Sequence, residues 1–349
     1  MKVIVFKDEQ KYIDLFIHFP QTLYQDDKYY PGEHLEEITS ILKNNYPLAK
    51  YLTKINLLVV NNNKVLGRAI AFISPQLKIG TVGYFECINN QLVANLIFDA
   101  ACAFFRENKI KTIYGPMAGS IWLPYRLMIS GFNEMPFYGE PYNKDYYLKL
   151  FANYGFKIDK EWVSYFAKRI NPFQQPTELK KVLKSVSRYR KQTFKIVKVT
   201  EYEKGIKEVY PLVMNAFKNF YLFNEIDEET FMQLYAGNKA LYDANLFRIA
   251  YYQGEPIGFV ICVPDYFTLV PKKRVRYVAL YLGVKQNKQG ESLYPGVGRA
   301  LMASIYKYAF FKRASLVGAL ISEDAKTYRY GDKYDNKHQY ALLKKEIKN

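Results

Sequence analysis

Short runs of alternating apolar and polar residues, and longer runs with apolar residues three and four apart, let strands and helices be read in turn along this 349-residue chain. The pattern predicts a strand over residues 3–6 and a helix over 10–19, with Tyr12, Leu15 and Phe19 on one face and a stop at Pro20. Residues 57–61 and 65–74 flank an Asn-rich turn and read as a hairpin. A strand over 83–87 leads into a helix over 91–108 with Val93, Ile97, Ala101 and Phe104 along one side. A short strand at 112–114, closed by Gly115-Pro116, is followed by an aromatic loop, a helix over 145–154 and a strand over 162–168.

Asn171-Pro172-Phe173-Gln174-Gln175-Pro176 interrupts the pattern and reads as a linker. The second half then repeats the scheme: a strand over 195–200, helices over about 204–219 and 228–236, and a hairpin of 248–252 with 256–264. A strand over 277–284, a helix opening at residue 295, and strands over 315–321 and 340–345 complete it. The expected fold class is α/β with mixed α+β sheets, in two tandem domains that each wrap helices around a central mixed sheet. The expected bounds are 1–170 for the first domain, 171–194 for the linker and a basic helix, and 195–349 for the second.

The segment from Tyr277 to Ala300 carries the strongest chemical signal. A strand followed by Pro295-Gly296-Val297-Gly298-Arg299-Ala300 at a helix N-terminus gathers unpaired backbone N–H groups and the positive end of the helix dipole, which suits a phosphate. Gly296 and Gly298 let the backbone come close to such a group. Val297, Leu301, Ile305 and Tyr308 recur at helical spacing, so the helix packs one face on a sheet. The first half has no such turn: after its strand the chain enters the next helix through Ile88-Asn89-Asn90-Gln91-Leu92.

Composition narrows the class. The formal net charge of +17 implies affinity for something anionic, whether nucleic acid, a lipid surface or a polyphosphate such as coenzyme A. The densest basic stretch, 180–198, is also what a solvated helix face would show. No run approaches the roughly 18 apolar residues of a membrane-spanning helix, and the first twelve residues read as a strand and turn, so the expectation is a soluble cytoplasmic protein. Cys87, Cys102 and Cys262 are odd in number, widely spaced and set among apolar residues, which reads as buried thiols rather than disulfides or a zinc site. His18, His34 and His338 are too few and too scattered for a Ser-His-Asp or metal constellation, so hydrolase and metalloenzyme readings fall away and no metal is expected.

The glycine turn resembles the acyl-CoA-binding motif of GNAT-type N-acyltransferases, Gln/Arg-x-x-Gly-x-Gly/Ala after a strand. Leu293 stands where that pattern begins, and the loop 285–294 is longer than is usual. Four first-half segments resemble bacterial tandem GNAT-like proteins: Leu66-Gly67-Arg68-Ala69-Ile70-Ala71, Gly83-Tyr84-Phe85-Glu86-Cys87, the run from Gly115 to Leu127, and Pro136-Phe137-Tyr138-Gly139-Glu140-Pro141-Tyr142-Asn143. The resemblance covers nearly the whole chain and rests on the motifs as a set. It implies acyl-CoA as co-substrate, bound by Leu282, Gly283 and Val284 and by Pro295, Gly296, Val297, Gly298, Arg299 and Ala300. Leu150 to Phe156 matches the Tyr-x-x-x-Gly-Phe ending of the fold, with Phe151 in place of the tyrosine; a phenyl ring has no proton to give a thiolate.

Acyl transfer to an amine needs a neutral amine, donors to the developing oxyanion and a proton for the departing thiolate. Glu323 and Asp324, with Glu86 or Glu140, are candidate bases, and Tyr328, Tyr330 and His338 candidate acids. In a chain with 33 tyrosines the same residues equally suit surface carboxylates and core rings. Trp122, Tyr125, Arg126 and Glu140 are candidate substrate-binding residues, framing an amine between the domains, or else a packed loop. The leading expectation is an acyl-CoA-dependent N-acyltransferase acting on a small-molecule or lipid-like amine. The alternatives are an aminoacyl-tRNA-dependent transferase of the peptidoglycan-branching type, favoured by the charge, and a non-catalytic acyl-CoA-binding protein.

Overall fold

The computed structural model describes residues 1–167, 194–269, 274–325 and 336–347. Contacts divide the chain into two compact units: the first takes Met1–Val163, Ser322–Lys326 and His338–Asn349, the second Ser164–Ile321 and Thr327–Lys337. The expected linker and basic helix fall on residues outside this description, apart from Phe194.

The first unit contains β1 (Lys2–Phe6), α1 (Gln10–Leu23), α2 (Leu35–Leu42), β2 (Thr53–Asn61), β3 (Lys64–Ser74), β4 (Ile79–Cys87), α3 (Gln91–Glu107), β5 (Thr112–Gly115), β6 (Leu127–Ser130) and α4 (Tyr147–Asn153). Its sheet runs β1-β2-β3-β4-β5 and continues into β13 (Lys337–Glu346), against which β6 also pairs. All these pairings are antiparallel except β4 with β5. The closing strand, expected in the second domain, thus completes the first unit: Leu343 to Glu346 pair with Gly115 to Thr112. Burial explains the choice, since Tyr340, Ala341, Leu342 and Leu343 are all withdrawn from water there.

Helix α1 runs through Pro20, where a stop was expected. A proline lacks the N–H that would bond the carbonyl four residues back, that of Phe16. Here Arg68 Nη1 donates to the Phe16 carbonyl at 2.8 Å, and Pro20 itself is buried, so packing compensates for the missing bond. The core of this unit is aromatic: Phe98 stacks on Phe85 at 5.2 Å between centroids and meets Phe151 and Phe156 at 4.8 and 5.4 Å. Cys87 and Cys102 are buried in it.

Strand β7 (Lys157–Ala167) is divided between the units after Val163. The second unit holds β8 (Phe194–Lys198), α5 (Tyr202–Phe217), α6 (Glu228–Ala236), β9 (Phe247–Tyr252), β10 (Glu255–Pro264), β11 (Arg276–Val284), α7 (Val297–Phe311) and β12 (Ser315–Ser322). Its strands lie in the order β12-β11-β10-β9-β8, with β11 and β12 parallel. Val297, Leu301, Ile305 and Ala309 of α7 pack on Ile257, Val260, Cys262 and Tyr277. Gly258 permits this closeness, because a Cβ there would stand 3.2 Å from Val297 Cγ1.

Candidate functional site

In the second unit, β11 pairs with β12 from Arg276↔Ser315 to Ala279↔Gly318 and no further. On its other side it stays paired with β10 to Val284, with a bulge between the Tyr281 and Ala279 pairings that leaves Leu280 extra. Leu320 adopts a left-handed φ of 52°, and its N–H donates to Ser164 Oγ at 2.9 Å, so β12 turns away while β11 continues. The stretch Leu280 to Val284 therefore keeps one edge of its backbone clear of β12. Leu282 is 40% exposed in mid-strand, and Leu293 beyond it 51% exposed.

Helix α7 begins beside this edge. Its N-cap is Gly296 at φ 93°, a conformation a side chain would strain, and no side chain caps the first turn. Val297 N–H donates to the Tyr294 carbonyl at 3.2 Å and Ala300 N–H to that of Gly296 at 3.0 Å. A Cβ on Gly298 would lie 3.5 Å from Val284 Cγ2 and 3.8 Å from Leu282 Cδ2, ordinary contact distances. The fold thus brings Gly298 beside Leu282 and Val284. The buried Gly283 serves packing: Phe259 fills the space its side chain would take.

The loop 285–294 is an ordered hairpin, with Leu293 N–H donating to the Lys285 carbonyl at 3.0 Å and Gly290 at φ 81°. Asn215 of α5 holds it, accepting from Gln286 N–H at 2.7 Å and donating to the Gln286 carbonyl at 3.3 Å. Sequence reasoning missed Asn215, and nothing in its helical context marks it.

Glu323 and Asp324 belong to the first unit and both pair with Lys160, Glu323 at 3.4 Å. Glu323 is tied to β7 as well, its N–H donating to the Glu161 carbonyl at 3.1 Å. Tyr328 and Tyr330 lie outside the described residues. Tyr125 and Arg126 do come together: the Arg126 guanidinium lies 3.7 Å from the Tyr125 ring centroid and 4.7 Å from that of Trp162. Arg126 holds a left-handed φ of 87°. The backbone N–H of Trp122, on the same loop, donates to Ser120 Oγ at 3.2 Å. Glu140 is buried, with one oxygen taken by Tyr340 and by His338 Nδ1 at 2.7 Å and the other by Phe137 N–H at 2.9 Å.

The corresponding place in the first unit is closed. Asn90 caps α3, its side chain accepting from Leu92 N–H at 2.9 Å and Val93 N–H at 3.4 Å. Beyond the short β4–β5 pairing, Met117 N–H donates to the Val82 carbonyl at 2.9 Å, and a Cβ on Gly83 would strike Ala118 Cα at 2.5 Å. Phe151 packs inward against Gly115. Glu86 is buried on β4 and accepts from Tyr24 at 2.9 Å and Tyr147 at 2.5 Å. Burial pushes its carboxyl up to about 7, against the opposing pull of the Arg68 guanidinium.

Among the described residues, no helix is long and apolar enough to cross a membrane, and no group of His, Cys, Asp and Glu is arranged to hold a metal ion. No known family's sequence profile matches the chain. One relative, Protein YghO of Escherichia coli (strain K12), is 21% identical over 256 residues, spanning 72% of this chain and 65% of that protein, which is less than two thirds of its length. Among solved structures, the chain resembles a tandem GNAT protein from the clavulanic acid biosynthesis pathway. The TM-score is 0.57 at 10% identity, covering 100% of this chain and 99% of that one. It also resembles a GCN5-related N-acetyltransferase from Anabaena variabilis, with a TM-score of 0.54 at 9% identity over 98% of this chain and 72% of that one. At such identities the likeness is one of fold.

Proposed function

Given that the chain has a tandem GNAT fold, we propose that it is an acyl-CoA-dependent N-acyltransferase whose second unit holds the thioester. The observation that carries this reading is the parting of β11 from β12 after Ala279, beside a helix that opens at left-handed Gly296 with no side-chain cap. In this reading the free backbone edge from Leu280 to Val284 hydrogen-bonds the thioester carbonyl and the pantetheine arm. Because Val297 and Ala300 spend their N–H groups on nearby carbonyls, the amides of Gly298 and Arg299 take the phosphates. The amine nitrogen then attacks the thioester carbon, a C–N bond forms as the C–S bond breaks, and the thiolate takes up a proton.

Glu323, Asp324, Tyr328 and Tyr330 are proposed for the proton transfers, and Trp122, Tyr125 and Arg126 for the acceptor, a small-molecule or lipid-like amine. Glu140 has both oxygens engaged and acts here through the loop it anchors. Thermal unfolding in the presence of acetyl-, medium-chain and long-chain acyl-CoA tests the reading. A ligand at 100 times its Kd adds about 2.7 kcal/mol of stability, so an unmoved melting temperature across the series rejects it.

One observation favours a second reading, a non-catalytic acyl-CoA-binding protein: Lys160 pairs with both Glu323 and Asp324. Tight acyl-CoA binding with no turnover on a broad amine panel would select it.

A further inference from the structure

Strand β11 presents its side chains alternately to α7 and to the face that carries α5 and α6. Tyr277 and Ala279 belong to the α7 face, where Tyr277 stacks on Tyr308 at 5.8 Å between centroids. The extra residue Leu280 resets the alternation, so that Leu282 and Val284 point toward Gly298 of α7 and Tyr281 points the other way. The Tyr281 ring meets Tyr235 of α6 edge-on at 6.0 Å, Tyr235 lies 4.6 Å from Phe231, and Phe231 lies 5.4 Å from Tyr210 of α5. A row of rings thus runs from between α5 and α6 to the place where β11 and β12 part.

The parting is apolar on both banks. Leu280, Tyr281 and Leu282 on β11 and Leu320 and Ile321 on β12 all keep accessible surface, with Tyr281 36% exposed. No charged side chain stands between Ala279 and Leu282 or between Gly318 and Ile321. Gly318 pairs with Ala279 and shares its face, and Ile321 folds back there, its Cδ1 3.4 Å from where a Cβ on Gly318 would stand. On the α7 side, Ile321 and the packed Tyr277 close the parting, whereas on the α6 side the rings of Tyr281 and Tyr235 border it. A group carried along the free edge from the N-terminus of α7 therefore has its way onward over those rings. An acetyl group ends in a single methyl and leaves them in water; a longer hydrocarbon chain withdraws both the rings and itself.

We propose that the donor's acyl group is a medium- or long-chain hydrocarbon acyl group, laid over Tyr281 and Tyr235 where β11 and β12 part. This rests on acyl-CoA binding by the second unit, and adds the class of donor and two residues that select it.

The test is calorimetric titration of the full chain with coenzyme A, acetyl-CoA and octanoyl-CoA, the last below its micelle-forming concentration. Each methylene withdrawn from water contributes about fourfold to affinity, so octanoyl-CoA should bind about tenfold or more tighter than acetyl-CoA, with coenzyme A close to acetyl-CoA. Tyr281→Ala and Tyr235→Ala should each reduce that preference to about threefold or less, and Tyr281→Phe, which keeps the ring, should retain it. The preference is a ratio of two affinities within one protein, so a general loss of binding or of folded protein in a variant does not imitate it. Coenzyme A that binds beside equal affinities for the acetyl and octanoyl thioesters would overturn this inference and leave the acyltransferase reading standing. An octanoyl preference unchanged in both alanine variants would place the chain elsewhere and overturn it too. No binding of any of the three compounds would reject the acyltransferase reading, and this inference with it.

Discussion

Tyr147 donates its hydroxyl hydrogen to Glu86 at 2.5 Å, while the same hydroxyl accepts the Cys87 backbone N–H at 2.9 Å. One side chain from α4 thereby stabilises a buried carboxyl and occupies an amide at the end of β4. Burial in turn raises the Tyr147 hydroxyl well above the ordinary tyrosine value, with the Glu86 charge adding to the effect, so the phenol stays protonated as donor.

Glu86 should make stability fall as pH rises. The folded chain keeps this proton up to about 7, whereas the unfolded chain releases it near the ordinary value of 4.5, so the folded state binds more protons between these values. Its contribution is greatest below pH 4.5 and is lost as pH rises through 7. Glu86→Gln, which keeps the shape and cannot ionise, should flatten that part of the profile. Urea unfolding at about pH 5 and about pH 7.5 measures the difference; an identical slope in both proteins would mean that Glu86 is ionised throughout.

Gly83→Ala should destabilise the first unit strongly. The added methyl meets Ala118 Cα at 2.5 Å and the Met117 carbonyl oxygen at 2.7 Å, both backbone atoms that cannot swing aside. A loss of about 3 kcal/mol or more is expected from such overpacking. Chemical unfolding reads it directly, and a loss below about 1 kcal/mol would mean that the 116–119 segment moves freely.

Arg126→Ala and Arg126→Gly separate contact from conformation. Both lose the stacking on Tyr125 and Trp162, but only glycine adopts φ 87° without strain. Arg126→Gly should therefore be the more stable by about 1 kcal/mol, and both less stable than the parent. Equal stabilities in thermal unfolding would contradict a left-handed Arg126. If Arg126 also serves the acceptor, both variants lower turnover while acyl-CoA affinity holds.

Gly298→Asp should weaken acyl-CoA binding by roughly 100-fold, because it sets a carboxylate against phosphate at a helix N-terminus. Its Cβ has room, and an acidic residue in the first helical turn is favourable, so the melting temperature should hold or rise. Calorimetric titration decides: an unchanged Kd would place the phosphates elsewhere.

The sequence by itself determined the elements whose signals are local. The 3.6-residue period of α3 and α7, the hairpin around Asn62 and Asn63, and the glycine turn at Gly296 and Gly298 are each fixed by a few neighbouring residues. Tertiary structure decided what depends on distant partners. Strand β13 joins β5 because its apolar run is buried there, a pairing across more than two hundred residues that no window reports. Helix α1 passes Pro20 because Arg68, from another strand, bonds the carbonyl that proline leaves open. Strand β11 offers a free edge because β12 turns away at Leu320, and the chemistry open to Glu323 and Asp324 depends on Lys160, which meets them only in the folded chain. Local backbone preference is written residue by residue, whereas burial, register and charge pairing are properties of atoms that the fold alone brings into contact.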